Sequence, residues 1–283
     1  MNDAAHIPPA LARGPGLFGA IVIADGASRD VRAVARALLT RADSRLLVAV
    51  SAFVARDTDA GGVALGAPFD DTPFVVSRHG LFVQIGAETL DTRNELRDVV
   101  EGEIAQQGCF VVERSLLAAI EPGARDPFGF VDPFRPRAVA RAVVEHGPAR
   151  GCAALVHQAW KQDVARFARL DPRAQTRVMG ITKEGARVDD APPSAHVPRM
   201  RAADYALARR GLPDEARTGL HFVAHAASGE PLARALRSIP RADALFEYAY
   251  PTTGGAFITI PHVDALTPQR RGRDAEGAAQ VQR

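Results

Sequence analysis

The sequence is poor in cysteine, in lysine and in net charge, and it has no long apolar run. Cys109 and Cys152 are the only two cysteines in 283 residues. Two thiols cannot build a disulfide framework or a cysteine-rich zinc site. Both lie where apolar strands begin, which predicts reduced, buried side chains. Lysine occurs only at Lys161 and Lys183, and every other basic residue is arginine, as the codon usage of a GC-rich genome gives. Lys+Arg is 35 against 33 for Asp+Glu, a net charge of +2. So even a balance makes no electrostatic case for nucleic acid or an anionic membrane. The small excess sits at 267–283, where Arg270, Arg271, Arg273 and Arg283 outnumber Asp274 and Glu276. No apolar run approaches the roughly 18 residues that would cross a bilayer. The start, MNDAAHIPPALARGPG, has no basic segment followed by an apolar one, so no secretory signal is expected and a soluble, cytoplasmic protein is predicted.

What is present is ordinary globular material, 47% hydrophobic and 24% charged, long enough for one large domain or two smaller ones. Residues 17–24 (LFGAIVIA), 45–54 (RLLVAVSAFV), 80–86 (GLFVQIG) and 108–113 (GCFVVE) read as strands. Helical spacing over 29–41 puts Val31, Val34, Ala35, Leu38 and Leu39 on one face, and 92–106 does the same for Leu96, Val99, Val100 and Ile104, with Asp91 or Thr92 as cap. The order β-α-β-β-α-β is the ferredoxin-like arrangement. The second half repeats it less clearly: strands at 151–157, 219–226 and 244–250, helices at 160–170 and 229–238, and a long irregular stretch at 178–218. The fold class expected is α+β, two tandem ferredoxin-like domains, with boundaries 1–126 and 127–266 and a disordered tail at 267–283.

Several motifs fail. GPGLFG (14–19) matches G-x-G-x-x-G, but the strand follows the motif instead of preceding it, so it is no dinucleotide site. No nucleophile elbow or Walker loop occurs. His221 and His225 stand four apart on a strand, about 13 Å along the chain, too far to share one ion. A structural or pocket-lining role is expected for them. A lone histidine, His196, sits among small residues in GITKEGARVDDAPPSAHVPR (180–199), where Pro198 denies the chain a regular continuation.

That run resembles the stretch around the haem-ligating histidine of dye-decolourising peroxidases, with its "S-H-V-x-R" pattern. Gly129-Phe130-Val131-Asp132 resembles the start of the family's G-x-x-D-G motif. Arg209-Arg210-Gly211-Leu212-Pro213 resembles the segment that brings the distal arginine. GLHFVAH (219–225) and PTTGGAF (251–257) resemble the family's "GL-x-F-x-A" strand and "TGG-x-(Y/F)" segment. The resemblance spans about 17–262 and implies the shorter bacterial subgroup, a dimeric α+β barrel fold with haem in the C-terminal domain, and a homo-oligomer.

It also implies haem b as cofactor, held by the iron ligand His196, with Arg199, Arg209 and Phe222 lining the site. Asp132 is implied as acid/base and Arg209 as the fixed cation that stabilises the leaving oxygen. Hydrogen peroxide would oxidise the haem to a ferryl species that takes electrons from an unknown organic reductant. Asp243 or Glu247 could accept from the second imidazole nitrogen. Trp160, Tyr205, Tyr248 and Tyr250 are candidates for electron relay, though packing is their commoner use. Two departures bear on activity: Pro133 replaces the glycine after the aspartate, and Gly211 replaces a Ser/Asn. They favour, as the alternative, a haem-binding protein with weak or altered peroxidase activity (a carrier, a sensor or an enzyme of another reaction). A haem-free scaffold acting through oligomerisation is the third reading. The tail could dock on a partner or a protein shell.

Overall fold

The computed structural model describes residues 18–63, 65, 69, 74, 79–118, 125–131, 142–202, 207–238 and 242–269. The first half is β1 (Phe18–Asp25), α1 (Ser28–Thr40), β2 (Leu46–Val50), a short α2 (Ala52–Ala55), β3 (Leu81–Ala87), α3 (Leu90–Gln106) and β4 (Phe110–Leu117). The predicted strand at 45–54 stops at Val50, because the Ser51 hydroxyl accepts from Val54 N–H and starts a helical turn. The cap of α3 is Thr89 rather than Asp91 or Thr92.

The second half is β5 (Ala153–Gln162), α4 (Val164–Ala168), α5 (Pro172–Met179), α6 (His196–Ala202), β6 (Ala208–Pro213), β7 (Gly219–Ala226), α7 (Gly229–Ser238) and β8 (Ala249–Ile260). Here several expectations are corrected. Trp160 and Lys161 extend β5, and the helix begins only after Asp163, whose carboxylate caps Arg166 N–H. The stretch 178–218 is not irregular: it holds α6 and β6. Pro198 lies inside α6, in the first turn, where a missing N–H costs nothing. Residues 244–247 form a 3-10 turn, and the strand predicted there runs from Ala249 through PTTGGAF to Ile260.

Strand order is β4-β1-β3-β2-β8-β5-β7-β6. Each half contributes its strands in the ferredoxin-like order fourth, first, third, second, and antiparallel pairing of β2 with β8 fuses the two sheets. The outer edges also meet. Leu117 bridges Asp214, Ala118 N–H donates to Pro213 O at 2.9 Å, and Glu215 N–H donates to Leu116 O at 3.0 Å. Arg93 spans the same seam to Glu215. One buried cluster draws Ile21, Leu47, Phe82, Leu117, Leu155, Leu212, Val223 and Phe257 from all eight strands. That is the interior of a closed barrel, which at eight strands is just wide enough for side chains to fill. The helices cover the outer face, where Ala24, Val31, Val34, Leu38, Val100, Val156, Ala224 and Ile258 form the larger core. Cys109 and Cys152 are buried and free, as expected. Residues 267–269, expected to open the tail, are tied to 57–59 instead: Gln269 N–H donates to Asp57 O at 2.8 Å. Residues 270–283, with the docking segment, lie outside the described residues.

Candidate functional site

His196 opens α6, and the chain before it fixes where that helix sits. α5 ends at Gly180, in the left-handed region at φ 76. A Cβ there would stand 2.4 Å from Pro198 Cδ and 3.0 Å from Ala195 Cβ. Only glycine lets the first turn of α6 pack on this corner. The intervening segment is pinned by Ala195 N–H to Pro192 O at 2.9 Å and by Ala244 N–H to Ser194 O at 2.8 Å.

The last of these bonds brings in Asp243. Its side chain is fully buried, and Oδ2 lies 2.7 Å from His196 Nδ1. Oδ1 accepts from Leu245 N–H at 2.9 Å and so caps the 3-10 turn. A carboxylate accepts, so Nδ1 carries the proton and Nε2 keeps its lone pair. Of the two candidates named from sequence, the structure brings Asp243 to His196. Glu247 is exposed and pairs with Arg166 at 3.8 Å.

Facing α6 is the outer side of the second sheet. Arg209 in β6 donates from Nη1 to Met200 O, on α6, at 3.3 Å. Paired residues of an antiparallel sheet share a face. Arg209 pairs with Ala224, and Gly211 pairs with Phe222, which pairs in turn with Gln158 of β5. Arg209, Gly211, Phe222 and Gln158 therefore look out on the side that carries α6. Arg199, half-buried, lies one turn after His196. Gly211 is roofed by Leu220: a Cβ would stand 2.9 Å from Leu220 Cδ1. The place where the family pattern has Ser or Asn is thus held by an isopropyl group. Gln158, which sequence reasoning missed, is 2% exposed, and both ends of its amide lack a protein hydrogen-bond partner.

Asp132, Pro133 and Tyr205 lie outside the described residues. The chain leading to Asp132 is well held. Val131 N–H donates to Lys183 O at 3.1 Å, and Asp126 Oδ1 accepts from Phe130 N–H at 2.8 Å. Arg125 reaches Gly129 O at 2.8 Å and Lys183 O at 2.7 Å, and Lys183 Nζ donates to Phe128 O. The G-x-x-D segment is thereby fastened to the GITKEG corner. Of the relay candidates, Trp160 packs edge-on to Phe74 and Phe246, and Tyr248 edge-on to Phe167, while Tyr250 is exposed.

His221 and His225 both lie on a strand, β7, as expected. Both face the barrel interior, and His221 meets His157 of β5, with Nδ1 2.9 Å from His157 Nε2. Burial pushes His157 and His225 down to about 3 and His221 to about 4.

A family model described as "Dyp-type peroxidase, C-terminal" matches residues 124–264, about half of the chain. No curated protein matches the sequence. Among solved structures, a dye-decolorizing protein from V. cholerae is similar at TM-score 0.73 and 20% identity, covering 91% of this chain and 98% of its own. A variant of DypB from Rhodococcus jostii, in complex with heme, gives 0.73 and 22%, covering 89% and 95%. A dye-decolorizing peroxidase from Bacteroides thetaiotaomicron gives 0.70 and 18%, covering 94% and 98%.

Proposed function

The chain belongs to the Dyp-type peroxidase family, and on that premise we propose that it binds haem b and uses hydrogen peroxide to oxidise organic donors. The observation that carries this is the buried Asp243 carboxylate 2.7 Å from His196 Nδ1. A histidine held in one tautomer by a buried carboxylate, with its second nitrogen left as a lone-pair donor, is the arrangement of a metal-ligating imidazole. The other residues on this face fit the same group. Arg199 and Arg209 are cations suited to propionates and peroxide oxygens, Phe222 offers an apolar face, and the Gln158 amide waits for a polar partner. Bound haem would supply the redox chemistry, and the protein sets its ligand, its distal donors and access to it.

The roles proposed for this chain's groups are those the family resemblance implies. His196 Nε2 would hold the iron. Asp243 accepts from Nδ1–H, fixes the ring plane and raises the basicity of the ligand nitrogen. Arg209, anchored on Met200 O, is a fixed cation for the developing charge on the leaving oxygen. Asp132 takes a proton from one peroxide oxygen and returns it to the other. Division of the chain at 126/127, a homo-oligomer and a cytoplasmic setting belong to the same proposal. Among the described residues no helix is long and apolar enough to cross a membrane.

One observation favours a second reading, a haem-binding protein with weakened peroxide chemistry: Leu220 closes over Gly211, where a polar distal side chain would stand. Two measurements separate the readings. An intense Soret band in the purified protein, lost in His196→Ala, is expected for both. Stopped-flow mixing with hydrogen peroxide and an organic donor then decides. Donor oxidation slowed about 100-fold or more by Arg209→Leu and by Asp132→Asn supports the peroxidase. Bleaching of the haem without donor oxidation overturns it in favour of the binding protein.

A further inference from the structure

We propose that the barrel interior contains a separate site for a divalent first-row transition-metal ion such as Zn2+, ligated by Glu113, His157 and His221. The three come from β4, β5 and β7, and each is turned inward. His157 shares its face of β5 with Leu155, and the register sets it beside Val223 of β7 and Gly255 of β8. The glycine leaves room for the imidazole. His221 shares the interior face of β7 with Val223. Glu113 lies on the interior face by alternation from Leu117 and Ser115, and a β-bulge follows it toward the strand's start: Ile23 pairs with Glu113 but Ala24 pairs with Val111, so Val112 is the extra residue. Glu113 pairs with Ile23 and shares its face.

One nitrogen of each imidazole and one carboxylate oxygen of Glu113 lie within 4.8 Å of one another. A tetrahedral ion with bonds of about 2.0–2.1 Å holds two nitrogen ligands roughly 3.3 Å apart. His157 Nε2 and His221 Nδ1 face each other at 2.9 Å, with ring centroids 5.3 Å apart and planes 8° from parallel, so to share one ion the two rings must exchange this hydrogen bond for it and swing so that both nitrogens turn toward Glu113. His157 is fully buried, and its Nδ1 has no hydrogen-bond partner. Between neutral imidazoles this contact is a single N–H···N hydrogen bond, with Phe82 packed against the His157 ring.

The chemistry agrees with the geometry. Burial keeps both imidazoles neutral at pH 7, so their lone pairs are available without loss of a proton. Burial also pushes the Glu113 carboxyl up, and a nearby dication would offset that penalty. Ser115 donates to Glu113 Oε1 at 3.3 Å and steadies the carboxylate. Two imidazoles and one carboxylate suit Zn2+, Co2+ or Cu2+ and not the all-oxygen preference of Ca2+ or Mg2+. Three protein ligands leave a fourth position for water. Glu113 is only partly buried, which gives an ion a route in from the β4 side. His157 and Gln158 are neighbours on opposite faces of β5, so this site is separated from the His196 face by the thickness of the sheet and does not depend on haem.

The test uses the full chain as purified, treated with a chelator to remove loosely held metal and then titrated with Zn2+ against a chromophoric chelator. We expect one Zn2+ per chain with a dissociation constant of about 1 µM or tighter. Zinc-edge X-ray absorption, which haem iron does not obscure, should show nitrogen and oxygen neighbours with scattering from two imidazoles. Glu113→Gln should weaken binding about ten-fold or more, His221→Gln should abolish it, and His196→Ala should leave it intact. Glu113 is half-exposed, so its variant decides the matter even if a histidine variant fails to fold. Absence of binding, sulfur scattering from a cysteine site, or an affinity unchanged in Glu113→Gln would each overturn the proposal.

Discussion

At the scale of single residues, Asp243 does two jobs with two oxygens, and they separate under substitution. Oδ1 caps the turn at Leu245, and Oδ2 receives the proton of His196 Nδ1. Asp243→Asn keeps the size and can keep the cap, but it then points an amide N–H at an imidazole that already carries hydrogen there. The ring must change tautomer or rotate. We expect the variant to retain its fold, to hold haem less tightly, and to react with peroxide about ten- to a hundred-fold more slowly, as read by hemin titration and by stopped flow. An unchanged peroxide rate would remove Asp243 from the list of positioning residues. The sequence could name Asp243 only as one of two carboxylates, because 47 residues separate it from His196 and only the tertiary fold joins them. The His157–Glu113 neighbourhood was less legible still. It joins residues of three strands, with His157 and His221 64 positions apart, and only closure of the sheet into a barrel brings Glu113 to them.

At the scale of elements, α6 is a seven-residue helix that would not hold by itself. It is positioned by the corner at Gly180, with the Pro198 ring against it. Gly180→Ala adds a Cβ that overlaps Pro198 and puts a side chain at positive φ. We expect a loss of about 2–4 kcal/mol by urea unfolding, together with reduced haem occupancy, since the displaced helix carries His196. A stable, fully haem-loaded Gly180→Ala protein would show that the corner does not set the helix. Elements with clean periodicity were readable in advance: β1, α1, β3, α3, β7 and α7 all lie close to where hydrophobic spacing puts them. β6 and the centre of β8 were not. Both are rich in glycine or proline, which normally signals a loop. Their ladders, β6 with β7 and the centre of β8 with β5, hold them extended, with Gly211 under Leu220 and Gly255 opposite His157.

At the scale of the whole molecule, closure of the barrel buries three histidines in its interior, and this makes stability depend on mild acid. His157, His221 and His225 are held at about 3, about 4 and about 3 by burial. In the unfolded chain the same groups titrate near 6.5. Above that pH they are neutral in both states and contribute no pH dependence. Between about 6.5 and their native values the unfolded chain binds more protons than the native one, so stability falls as pH falls through this window. Each histidine supplies a slope of up to about 1.4 kcal/mol per pH unit, before paired carboxylates begin to matter near pH 4. Urea unfolding of chelator-treated protein at pH 7.5, 6 and 5 should therefore show a decline that steepens below pH 6.5. His225→Gln, which removes one titrating group without adding another, should lower the slope by about one proton's worth while leaving the other two. A free energy of unfolding that stays level from pH 7.5 to 5 would mean that water reaches these rings, and that the barrel is open where the contacts between β4 and β6 close it.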